Sequence, residues 1–253
     1  MKFKISAIIL IFAAIASGWW WKTKDEPQSG APPYGEEESD APEMDRFAWL
    51  NNWKRPEGPP KVGLQVGHWK NEELPEELSR LRGSTGATGG GKSEWEVTLA
   101  IAENTAEILR AKGVMVDILP ATVPSGYWAD LFVALHADGS TDRSKSGYKI
   151  ARSWRDISGK ADELADFLDT SYQQATGLDR DPNVTRNMRG YYAFAWWRYE
   201  HAVHPMTAAV IVETGFLTNT ADRQLLISRP QIPAGALARG MFTFLRSEGL
   251  IKD

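Results

Sequence analysis

The chain has no cysteine among its 253 residues. Disulfides and thiolate metal sites are therefore excluded, and any metal must be held by His, Asp or Glu. Histidine is scarce as well, with only His68, His136, His201 and His204. A surplus of positive charge is missing too: 29 Lys and Arg stand against 33 Asp and Glu, a formal net charge of -4. That removes the general electrostatic case for a nucleic-acid partner, although Arg residues scattered over 180–198 leave room for a local positive surface. No internal repeat is found. The remainder, 42% hydrophobic and 25% charged, suits one globular domain of roughly 200 residues with a sizeable core.

The N-terminus has its own pattern. Met1-Lys2-Phe3-Lys4 is a short basic start, and an apolar run from Ile5 to Trp21 follows, broken only by Ser6, Ser17 and Gly18. Basic first and apolar next is the order of an export signal. Ala14-Ile15-Ala16 offers a cleavage site, whereas Trp19-Trp20-Trp21 with Lys22 and Lys24 resembles an aromatic belt at a membrane interface. Residues 1–21 are thus expected to be a signal peptide or an N-terminal membrane anchor. Residues 22–60 turn to Pro, Glu, Gly and Ser, a composition that cannot repay the entropy of ordering, and read as a linker. Phe47 to Leu50 with Trp53 is the exception, a short helix able to dock on the domain. The domain itself is placed at 61–253.

Within it, Val62–Val66 reads as a buried strand turning out at Gly67-His68, and Gly83–Gly91 as a loop. Glu94–Lys112 shows apolar residues at three- and four-residue spacing, the mark of a helix. Val114–Leu119 and Asp130–Leu135 read as strands, the second ending at His136. Gly147–Ala151 is a fourth candidate strand, Ser158–Gln174 a helix, and Thr207–Val212 a strand ending at Glu213. Ala221–Ile227 and Ala234–Ser247 read as helices. Strands alternating with helices predict an α/β single domain: a twisted, mostly parallel sheet flanked by helices, with its site at the carboxyl ends of the strands.

Catalytic zinc takes three protein ligands from His and carboxylate and keeps one position open. His68 and His136 each follow an apolar strand, as Glu213 does, so their side chains can converge. For a third ligand, Ser93-Glu94-Trp95-Glu96 fits a capping box that occupies Glu96 at the helix start. Glu94 is left either as a ligand or as a solvated acid complementing the helix dipole. His201-Ala202-Val203-His204 has metal-like spacing but reads as loop, and the aromatic cluster Tyr191–Trp197 reads as core and sheet packing.

Four segments carry a resemblance. Val66-Gly67-His68, Glu94–Ala102, Ala129–Asp138 and Val210–Asn219 together resemble the zinc-dependent N-acetylmuramoyl-L-alanine amidases over roughly 61–248, and Arg186–Gly190 resembles that family's Arg-Gly segment. The resemblance implies one zinc ion on His68, Glu94 and His136, with Glu213 as the catalytic carboxylate. It implies hydrolysis of the amide joining N-acetylmuramic acid to the L-alanine of the stem peptide. Peptidoglycan is then the partner, and the place of action is outside the cytoplasm, in periplasm or wall or secreted. Departures from the family's pattern are Trp69-Lys70 after the first His, where glycines are usual, Asp138 where Asn is usual, and a short 119–130 stretch without the family's common Arg. Two other readings stand beside this one. A non-catalytic wall-binding module would have lost a ligand, and none is lost. A zinc exopeptidase would carry its Glu a few residues after the His, whereas 26 positions separate His68 from Glu94.

Overall fold

Lys61–Val66 forms β1, buried throughout after Lys61, as befits a strand covered on both faces. The computed structural model describes residues 48–251. β1 lies between β4 (Met115–Leu119) and β5 (Leu131–Asp138), both parallel to it. β7 (Ala208–Phe216) continues the sheet parallel to β5, and β6 (Lys149–Arg152) closes the edge antiparallel to β7. The order is β4-β1-β5-β7-β6. A two-stranded hairpin, β2 (Thr88–Gly89) and β3 (Lys92–Ser93), stands apart; its first strand lies within Gly83–Gly91, expected to be loop, and its second delivers the chain to the first helix.

That helix, α1 (Glu94–Arg110), opens with the expected capping box: Ser93 donates both its backbone N–H (2.8 Å) and its hydroxyl (2.7 Å) to the Glu96 carboxylate. α2 (Ala161–Thr176), the single-turn α3 (Arg186–Arg189), α4 (Thr220–Ser228) and α5 (Gln231–Ser247) follow. Alternation along the strands sorts the core. Val62, Leu64, Val66, Leu131, Val133 and Leu135 face the helices, packing with Ile101, Leu109, Leu168 and Phe244. Phe132, Ala134, Ala209 and Ile211 face the other way, covered by Phe194, Tyr127, Val203 and Met188. The long helices thus gather on one side, and irregular chain roofs the other.

Two strands run further than their apolar stretches suggest. β5 continues through His136 to Asp138 and β7 through Glu213 to Phe216. His136 and Glu213 are therefore cross-strand partners rather than residues in the turns beyond. Ladder pairing extends the strands where hydropathy alone would stop them, and it breaks only between His136 and Asp138.

Ahead of the sheet, the 3-10 helix Ala48–Asn52 lies against the domain. Trp49 meets the His204 ring at 5.5 Å, and Trp53 meets Trp128 at 6.0 Å and His204 at 5.4 Å. Arg55 then grips Asp130 at the start of β5 through a bidentate pair of 2.6 and 2.8 Å. The end of the linker is thereby tied to the strand start opposite the site. The signal-or-anchor segment 1–21 and Phe47 lie outside the described residues. Among the described residues no helix is long and apolar enough to cross a membrane.

α2 and α5 meet at Gly240, where an added Cβ would lie 2.9 Å from the Leu168 Cα and 3.0 Å from the Phe167 carbonyl oxygen. On an exposed helix, Gly→Ala gains about 1 kcal/mol. Here Gly240→Ala should instead cost about 1–3 kcal/mol through overpacking against backbone. A lowered urea midpoint with unchanged m-value checks it.

Candidate metal centre

The site is built where β1, the hairpin, α1 and β5 meet. Gly67 hydrogen-bonds to the Leu135 carbonyl (3.0 Å), and the chain then turns sharply through His68 at φ 62 and Lys70 at φ 59. Left-handed backbone in non-glycine residues is strained and clusters at functional positions. Here it swings the His68 ring back over the end of β1. Its Nδ1 lies 2.8 Å from the Ser84 carbonyl, which fixes the Nδ1–H tautomer and leaves Nε2 with its lone pair toward Glu94, 3.6 Å from Oε1. Burial pushes the His68 pKa down, with the Glu94 charge only partly opposing. The ring is thus held neutral, the form that binds metal.

Glu94 occupies the first turn of α1 yet is 3% exposed. The reading of it as a solvated acid fails on this burial. Its Oε2 accepts from the Ala87 N–H (2.8 Å) and its Oε1 from the Ala137 N–H (3.1 Å). His136 Nδ1 stands 2.8 Å from the same Oε1. Burial alone would raise the Glu94 pKa, but the His136 hydrogen bond and the two imidazoles hold it below the usual carboxylate range. Burial likewise disfavours the charged His136, and Glu94 reverses that. The rings of His68 and His136 lie edge to face, 5.2 Å between centroids.

His68, Glu94 and His136 each offer a ligand atom, all within 4.8 Å of one another. Two imidazoles and one carboxylate form a donor set suited to zinc. The Ser84 and Ala87 contacts orient two of the ligands as outer partners do in metal sites. Two glycines make the convergence possible. A Cβ on Gly67 would sit 2.2 Å from His136 Cε1, and one on Gly86, at φ +69, would sit 2.2 Å from the Glu94 carboxylate. The cluster opens onto a cleft of about 1660 Å³. On this geometry the residues fit the metal.

Glu213 lies in the same cleft, cross-strand from His136 on one side and from Lys149 on the other. Burial pushes its pKa up to about 8, with His136 opposing and the Asp138 and Glu94 charges reinforcing the rise. Asp138 is paired with the buried Lys149, whose ammonium is also 3.3 Å from Asp181.

Other residues fall elsewhere. His201 pairs with Glu77 at 2.8 Å, and His204 packs under Trp49 and Trp53, so neither joins the cluster. Trp69 packs half-buried against the core and lines a smaller cleft of about 350 Å³ with Trp95 and Thr85, on the flank of His68. Tyr191, expected only to pack, has its hydroxyl 3.1 Å from His136 Nε2 and its ring edge-on to the imidazole at 5.4 Å. The aromatic run held no spacing signal that could single it out. Thr214, which donates to the His136 carbonyl at 2.8 Å, was equally silent.

The fold and cluster define an α/β domain with one buried His-Glu-His site able to hold a metal, open to a long cleft. The sequence profile described as N-acetylmuramoyl-L-alanine amidase matches residues 62–241, and the chain belongs to that family. It is 25% identical to N-acetylmuramoyl-L-alanine amidase AmiA of Escherichia coli (strain K12), over 63% of this chain and 71% of that protein. In fold it is similar to the catalytic domain of CwlV from Bacillus (Paenibacillus) polymyxa var. colistinus, with 20% identity, 74% and 98% of the two chains covered and a TM-score of 0.51. It is likewise similar to AmiC2 of Nostoc punctiforme, with 23% identity, 76% and 99% covered and a TM-score of 0.51. Its activity is hydrolysis of peptidoglycan at the amide between N-acetylmuramic acid and L-alanine.

Gly67→Ala drives a methyl into the His136 ring and should lower metal affinity at least tenfold, the scale of disturbed outer-shell contacts. Competitive titration with a chromophoric chelator checks it; unaltered affinity would refute the close-approach argument.

Proposed function

We propose that this amide hydrolysis depends on one zinc ion held by His68, Glu94 and His136, with Glu213 as the proton carrier. The observation that supports it most is the convergence of the three ligand atoms within 4.8 Å, with Glu213 in ladder register with His136 in the same cleft. Zinc bound there supplies Lewis acidity toward water and toward the scissile carbonyl. The Glu213 carboxylate takes a proton from the attacking water and passes it to the departing amine of L-alanine. Both halves are needed, because an amine leaves poorly unless protonated. A carboxyl displaced upward by burial is suited to hold a proton as well as release it near neutrality. Tyr191, through its contact with His136, keeps that ring in place.

The same reading takes residues 1–21 as an export signal or membrane tether, 22–60 as the linker and 61–253 as the catalytic domain. The enzyme then works outside the cytoplasm, on the wall.

The full chain, loaded with zinc and given intact sacculi, should release new L-alanine amino termini. A chelator should abolish the release and added zinc restore it. Glu213→Gln should retain zinc yet lose roughly 10²–10⁴ in rate. Full activity in that variant, or in metal-stripped protein, would overturn the assignment.

A further inference from the structure

The cleft's wall continues into a surface that the hydrolysis does not use. Helix α3 supplies Asn187 and Met188 to the lining of the cleft, which Arg189 does not join; Arg189 is exposed. The Arg189 guanidinium lies over the Trp154 ring at 5.8 Å, and the Arg189 carbonyl accepts from the Trp154 N–H at 3.3 Å. Beside this pair, the exposed Arg155 lies over the Trp197 ring at 4.8 Å. Trp154 is 54% exposed and Ile157 42%. Two arginine–tryptophan pairs thus form an outward-facing patch on a chain whose net charge is -4. Burying tryptophan is strongly favourable, so a half-exposed indole keeps apolar area that a bound partner can cover. Trp and Arg are also the residues that dominate binding hot spots.

We infer that the Trp154–Arg189 and Arg155–Trp197 patch is a second docking site for the peptidoglycan polymer, taking a stretch of glycan strand and the carboxylates of its stem peptides beyond the cleft. This rests on the proposed reading only in that the cleft holds the scissile amide. Continuity through α3 lets one polymer lie in the cleft and run onto the patch. Flat indole faces suit the apolar faces of pyranose rings, and the Arg189 guanidinium offers paired donors to carboxylates. A bilayer surface is the other anionic partner, but guanidinium held over each indole suits a polar polymer better than insertion among acyl chains.

The test separates binding from turnover by using the zinc-loaded full chain carrying Glu213→Gln. Its co-sedimentation with purified sacculi gives the Kd of the parent. Adding Trp154→Ala should raise that Kd roughly three- to tenfold, and adding Arg155→Glu should do the same, with melting temperatures unchanged. Two variants guard against a folding defect in either. Unchanged Kd in both would overturn the inference. So would unchanged sacculus binding together with lost binding to vesicles containing phosphatidylglycerol, which would assign the patch to the membrane. If metal-stripped enzyme still releases L-alanine termini while the patch variants bind weakly, the zinc reading fails and the docking site stands.

Discussion

The Glu94 carboxylate is the group on which the arrangement depends. A buried carboxylate with unmet lone pairs is costly, so its position is fixed by whatever satisfies it. Here the partners come from different places in the chain: the Ala87 N–H before the hairpin, the Ala137 N–H in β5 and the His136 ring. His68, from the end of β1, adds its imidazole at 3.6 Å. One side chain thus joins the ends of two strands to the start of α1. The glycines at 67 and 86 follow from it, because any larger residue there would occupy space that the His136 ring and the Glu94 carboxylate already fill. A metal cation in this place would meet the negative charge of Glu94, and it would draw on His68, whose pKa burial lowers.

Much of this was legible from pattern. The strands reveal themselves by continuous apolar runs, α1 by its periodicity and its capping box, and the site by three polar residues placed where such runs stop. The capping box did more than mark a boundary. By occupying Glu96 it left Glu94 available, and the burial of Glu94 follows from the direction in which the first turn of α1 points. Less legible was how far β5 and β7 extend. Hydropathy ends at Leu135 and Val212, but ladder hydrogen bonds do not depend on side-chain polarity, so pairing carries His136 and Glu213 into register. That register is what brings the two side chains to the same height on the same sheet.

Tyr191 and Lys149 lay beyond the reach of pattern for a different reason. Each acts through a contact distant in sequence, with His136 and with Asp138 and Asp181 respectively. A tyrosine in an aromatic run looks the same whether its hydroxyl faces water or an imidazole. A lysine in a short edge strand ordinarily reads as a solubilising residue, yet Lys149 is 6% exposed.

Lys149 also gives a physical sense to one departure from the family's pattern. An Asp at position 138 adds a negative charge to a cleft that already holds Glu213, Glu94 and Asp181. Left alone, that charge would disfavour ionisation of its neighbours and repel a substrate rich in carboxylates. Lys149 lies cross-strand from Glu213 and pairs with both aspartates, so the added charge comes with its own counter-ion. Its ammonium also sits 4.7 Å over the Phe216 ring, leaving it fully engaged within the wall of the cleft. The substrate's carboxylates must then find cationic partners other than Lys149: Arg80 and Lys145 line the same cleft, and Arg189 of the proposed docking patch would serve those that lie beyond it.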